Sequence, residues 1–107
     1  MNRAWLLLAI AGVLEVAWAI GLKYSDGFRK PMASTLTIAA LVASFWLLAQ
    51  ALKELPVGTG YAVWTGIGAV GTAILGMVLF DEPRNFGRVL SILLIVAGII
   101  GLRVAAK

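Results

Sequence analysis

The sequence predicts an all-α integral membrane protein with four transmembrane helices, and three observations carry that expectation. The 107-residue chain is 62% hydrophobic and 13% charged, with a mean hydropathy of +0.99. A soluble domain of this length needs a much larger charged surface. Charged residues are also confined to a few places. Glu15 is the only one between residues 4 and 22, and there is none in 31–52, 56–80 or 89–102. Finally, the apolar runs have the length of membrane helices. A hydrocarbon core about 30 Å thick takes roughly 20 residues at about 1.5 Å each. Helices are expected at about 4–22, 32–52, 57–80 and 87–104, forming one transmembrane domain over residues 1–107. The strict alternation of a β-barrel strand is missing from these continuous runs.

The first helix follows Arg3, as the apolar part of a signal peptide would, but a carboxylate interrupts it and three more spans follow; a retained span is expected. Its link to the second helix contains Ser25-Asp26-Gly27, a turn signal, and Pro31 suits the first position of a helix. The links 53–56 and 81–86 carry one proline each and leave no room for a soluble domain. Any chemistry is therefore expected inside the membrane or at its edge. With neither Cys nor His, disulfides and thiolate or imidazole metal sites are excluded, and no metal or cofactor is expected. The net charge of +4 does not argue for nucleic acid. Its basic residues stand singly or in pairs at span ends, where Lys and Arg snorkel to lipid headgroups.

Four spans put both termini on one side of the membrane. That side holds Arg3, Lys53, Arg103 and Lys107; the other holds Lys23, Arg29, Lys30, Arg84 and Arg88. The positive-inside rule needs a clear excess, and four against five is none. Charge counting leaves two explanations open. Either another signal sets the topology, or the chain inserts both ways, as an antiparallel dimer of identical subunits requires.

Glu15 is the residue that most needs explaining. It lies eleven residues into the first helix, about 16 Å along its axis and close to the bilayer midplane. An ionised carboxylate there is costly, so an intramembrane acid is read first as a proton or cation site. The plainer alternative is a protonated Glu that hydrogen-bonds a neighbouring helix. Ala11, Gly12, Trp18 and Ala19 share its face, a pattern that suits a pocket wall or a close helix crossing. Near the middle of the second helix, Ser44 is placed to donate to the carboxylate or back to its own helix's carbonyl. Tyr61 and Trp64 share a face of the third helix. Tyr61 suits the interfacial aromatic belt, and Trp64, about 10 Å further in, suits a cavity wall.

The third helix has glycines at 58, 60, 66, 68, 71 and 76. Each lowers helix propensity, which close packing or bending must offset. Gly66 belongs to a small-residue stripe with Ala62, Ala69 and Ala73, and Gly68 to another with Thr72 and Gly76. Two such faces let one helix pack on both sides and slide or kink. Gly98 lies among large aliphatics of the fourth helix, which carries no polar pocket residue and suits packing or dimer contact. Four spans enclose little space, so a pore or carrier implies two or more copies and at least two Glu15 side chains near a symmetry axis. Protons and a cation then compete for the same charges, and the alternating conformation follows occupancy. If both carboxylates must ionise to load one monovalent cation, each cycle exchanges two protons for it and moves net charge.

The strings Gly12-Val13-Leu14-Glu15-Val16-Ala17-Trp18-Ala19, Leu22-Lys23-Tyr24-Ser25-Asp26-Gly27-Phe28, Leu55-Pro56 and Gly58 through Gly68 make the whole chain resemble the small multidrug resistance family, guanidinium exporter subtype. The resemblance implies an antiparallel homodimer that exchanges protons for guanidinium or small guanidinyl cations across the bacterial inner membrane, and no enzyme. By position, Glu15 matches the family's proton- and substrate-binding carboxylate. Trp18, Ser44, Tyr61 and Trp64 match residues around it, and Gly12 a small residue beside it. Trp18 and its neighbours carry the subtype, since relatives exporting quaternary ammonium and polyaromatic drugs tend to have Gly and Thr there. That broader drug exporter is the runner-up, and a small assembly subunit of a larger complex is the non-transport reading. Gly60 departs from the alanine more usual in the family and is expected to loosen the third helix beside Tyr61. Guanidinium suits the residues as well, being a planar cation whose donors meet a carboxylate in pairs and whose face suits the Trp18 and Trp64 rings.

Overall fold

A computed structural model describes residues 3–105; Lys107, one of the basic residues counted above, lies outside them. Four helices follow in order: α1 (Arg3–Tyr24), α2 (Pro31–Ala51), α3 (Val57–Leu79) and α4 (Phe86–Ala105). Each is long and apolar enough to cross a membrane. The chain runs up and down, so the α1–α2 and α3–α4 links meet at one end. There the Tyr24 and Phe80 rings lie 5.3 Å apart, centre to centre, and the Lys23 ammonium sits 5.5 Å over the Phe80 ring.

The helix ends follow from local chemistry. Pro31 opens α2 after an extended Lys30, the conformation a proline imposes on the residue before it. Between α1 and α2, Asp26, Gly27 and Phe28 all take positive φ, at 52°, 70° and 67°, a conformation unfavourable for a bulky residue such as Phe. Ser25 holds this turn in place and is fully buried. Its hydroxyl donates to the Leu22 carbonyl at 2.8 Å and accepts the Phe28 N–H at 3.2 Å. Its own carbonyl accepts the N–H groups of Arg29 and Lys30. At the start of α4 the Asn85 side chain accepts the Arg88 N–H at 2.8 Å, satisfying one of the free donors of a helix N-terminus. The helix accordingly starts at Phe86, one residue before the position expected from hydropathy.

α1 is the central helix, packed along both α2 and α3, while α4 packs along α3. α1 and α3 run in the same direction in a regular register, set where glycine lets the backbones approach. A Cβ added at Gly12 would meet Ile67, one at Gly68 would meet Glu15, and one at Gly71 would meet Val16. Gly66 points the other way, at Ile95 and Ile99 of α4. At Gly60, the position expected to loosen α3, the side chain of Leu52 fills the space a Cβ would need.

The tightest packing lies toward the terminal end of the bundle. Trp5, Leu8, Ala11, Leu48, Ala51, Val63 and Trp64 form one buried cluster from α1, α2 and α3. Arg103 of α4 reaches across to this end, its guanidinium 4.6 Å over the Trp5 ring. Among the described residues, α4 has none that is buried.

Candidate functional site

Glu15 sits halfway along α1, just past the buried cluster. Its carboxylate lies against the backbone of Gly68, where any side chain would occupy the same space. One carboxylate oxygen, Oε1, is buried and accepts no hydrogen bond from the described residues. One helical turn further on, the Trp18 indole N–H is also buried and unpartnered.

Below this pair runs a hydrogen-bonded relay. The Trp64 indole N–H donates to the Ser44 hydroxyl at 3.0 Å, and that hydroxyl donates to the Ala11 carbonyl at 2.7 Å. Ser44 thus bonds neither the Glu15 carboxylate nor its own helix, the two options the sequence left open. Ala11 is four residues before Glu15, so its carbonyl is the one that accepts the Glu15 N–H within the helix. The relay therefore ties α2 and α3 to the turn of α1 that carries Glu15. Ser44 is fully buried and Trp64 nearly so.

An aromatic row frames the same region. The Trp18 ring meets Phe45 edge-on at 6.4 Å, Phe45 tilts against Trp64 at 5.5 Å, and Trp64 against Tyr61 at 5.6 Å. Phe45 was not among the residues singled out by sequence. It lies in a continuous apolar run, and only its place next to Ser44 hinted at the site. Tyr61 is half exposed and closes the row at its outer end.

The remaining positions disperse. Gly12 is buried against Ile67, Gly66 packs on α4, and a Cβ at Gly98 would meet no neighbour among the described residues. Gly68, expected as a packing glycine, is the one that touches the carboxylate. No group of three or more metal-ligating acidic side chains occurs among the described residues.

Four helices long and apolar enough to cross a membrane, with a carboxylate midway along the first, define a multi-pass membrane protein. The chain belongs to the Small Multidrug Resistance family, whose model matches residues 3–95. It is similar to proteins named guanidinium exporter. The one from Yersinia pseudotuberculosis is 62% identical over 103 residues, covering 96% of this chain and 99% of that protein. The one from Escherichia coli is 57% identical over 102 residues, 95% and 97% of the two chains. The one from Proteus vulgaris is 52% identical over 103 residues, 96% and 99%.

Proposed function

We propose that this chain is the subunit of a proton-coupled antiporter that exports guanidinium and small guanidinyl cations across the bacterial inner membrane. The observation that carries the reading is the buried, unpartnered Oε1 of Glu15 at mid-membrane. A buried polar group without a partner costs free energy, and a proton or a cation with N–H donors removes that cost. Since either satisfies the same oxygen, the two compete, and competition for one site is the basis of exchange. The relatives' name, guanidinium exporter, and the aromatic row beside Glu15 favour a planar cation over a bulky one.

The working unit is an antiparallel homodimer. One subunit leaves both Glu15 Oε1 and the Trp18 indole N–H buried and unsatisfied. In this reading Glu15 binds substrate and protons. Gly12, Trp18, Ser44, Tyr61 and Trp64 surround it, and Gly66, Gly68 and Gly98 serve packing and conformational change. Two Glu15 carboxylates loading one cation give a two-proton exchange that moves charge.

The deciding experiment compares wild type with Glu15→Gln in proteoliposomes under an imposed pH gradient. Guanidinium currents on a solid-supported membrane are expected for wild type and absent for E15Q, with E15Q still helical and dimeric. Guanidinium exchange by E15Q would refute the role of Glu15, and electrically silent exchange by wild type would refute the two-proton cycle. A larger response to tetramethylammonium than to guanidinium would assign the chain to the broader drug exporters.

A further inference from the structure

A cleft of about 360 Å³ opens between α1 and α3, starting one turn beyond Glu15 and ending at the α3–α4 link. Its walls include Ala19 and Lys23 of α1, Thr72 and Gly76 of α3, and the pair Glu82 and Arg88. It lies on the side of Glu15 away from the tight core, along the same α1–α3 register. From Gly68 to Gly76 is eight residues, or about 12 Å of helix.

At its mouth, Arg88 Nη2 donates to Glu82 Oε1 at 2.7 Å. The geometry is single-pronged. Nη2 also reaches the Ala73 carbonyl at 3.5 Å, and Arg88 Nε is buried without a partner. The Thr72 hydroxyl, on the same cleft, is likewise buried and unpartnered. Gly76 gives the carboxylate its place, because a Cβ there would collide with Glu82 Oε1 and lie 2.9 Å from its carboxyl carbon. A glycine of α3 and a carboxylate thus meet twice, at Gly68 with Glu15 and, within this cleft, at Gly76 with Glu82. The head group bound at the second place is itself a guanidinium, that of Arg88.

We propose that Glu82 is a second, peripheral cation site at the cleft mouth, where a guanidinyl cargo exchanges with the Arg88 side chain on its way to or from Glu15. This rests on the reading of the chain as a guanidinium exporter. Arg88 is a tethered copy of the cargo's charged group, so it competes for Glu82 at high effective concentration. Lys23 adds a further positive charge nearby. The two keep occupancy of the outer site brief, and a cation arriving there leaves again as Arg88 returns. The Glu82 carboxylate and the Thr72 oxygen are acceptors and suit a ligand that carries only donors. A quaternary ammonium ion has no N–H to offer either.

The test reads binding at Glu82 with the central site disabled. In Glu15→Gln protein in lipid nanodiscs, line broadening of isotope-labelled guanidinium by NMR is expected to be weak. Adding Arg88→Gln removes the internal competitor and is expected to tighten binding by about tenfold or more, one charge-assisted contact's worth. Adding Glu82→Gln abolishes it again, and tetramethylammonium broadens in none of the three. Arg88→Lys keeps a cation but not the planar fork. It gives an intermediate gain and replaces Arg88→Gln if that variant does not fold. Equal binding with and without Glu82, or no gain on altering Arg88, overturns the proposal. The exporter reading fails separately, on absent guanidinium exchange by wild type, an assay that leaves the nanodisc result unaffected.

Discussion

Replacing Gly68 with alanine separates the position of Glu15 from its charge. A Cβ at residue 68 would stand 2.7 Å from Glu15 Cγ, and closer still to the carboxyl carbon and Oε1. Carbon atoms pack at about 3.5–4.0 Å, so the end of the Glu15 side chain must move by about 1 Å. That end is flexible, and alanine favours helix over glycine by up to about 1 kcal/mol. Gly68→Ala is therefore expected to leave thermal stability within about 1 kcal/mol of wild type. Transport should suffer far more, since a misplacement of about 1 Å at a reacting group can cost roughly 100-fold. The assay is guanidinium uptake into proteoliposomes under a pH gradient, with thermal melting in detergent alongside. Glu15→Asp supplies an internal control. It shortens the side chain by one methylene, so it should impair the wild-type background and do less harm, or partly rescue, in the Gly68→Ala background. Wild-type uptake by Gly68→Ala would refute the reasoning, and so would strictly additive losses in the double variant.

Two other predictions concern the relay and the orientation. Ser44→Ala leaves the Trp64 N–H buried and unpaired, and in membranes such a bond averages about 0.6 kcal/mol with a maximum near 1.7. A melting-based double-mutant cycle of Ser44→Ala with Trp64→Phe should give a coupling in that range, and guanidinium discrimination should weaken in Ser44→Ala; zero coupling would contradict the relay. Tags at the C-terminus should appear on both sides of the inner membrane in comparable amounts, and two lysines added to residues 81–86 should bias orientation and lower activity until an oppositely biased copy is supplied. A single C-terminal location in the native protein would exclude an antiparallel dimer of identical chains.

The spans and Glu15 were legible in the sequence because both rest on local composition. A lone carboxylate in an apolar run of membrane length needs no knowledge of its neighbours to be noticed. Pro31 and the Ser25-Asp26-Gly27 turn were legible for the same reason. What was not legible depends on the register between helices. Ser44 has a definite depth in α2 from sequence, but the carbonyl it reaches belongs to Ala11 on α1, and hydropathy carries no information about that pairing. Gly68 and Gly66 looked alike as packing glycines. The crossing of α3 between α1 and α4 turns one to a carboxylate and the other to isoleucines. Phe45 lies in a continuous apolar run that gives no sign of its neighbours across the helices. Arg88 looked like a headgroup anchor, because its pairing with Glu82 spans a loop whose conformation depends on Asn85 and on Asp81 at φ 54°.

The case for a second subunit rests on polar groups rather than on apolar surface. The exposed aliphatics of α4, such as Leu93, Leu94 and Ile100, are no argument for a partner, since lipid tails cover them equally well. Lipid tails cannot satisfy a carboxylate oxygen or an indole N–H. Glu15 Oε1 and Trp18 Nε1 are both buried and unpaired, and they need opposite things, a donor and an acceptor. A guanidinium ion or a proton brings only donors, so it answers Glu15 and leaves Trp18 unmet. In the proposed dimer, a carboxylate from the second copy would answer Trp18. On the proposed reading, cargo and partner are both needed to complete the site, and a cycle in which one stays while the other comes and goes would follow from that division. The orientation measurement bears on this directly, because an inverted copy is what places a second α1 against the first at the same membrane depth.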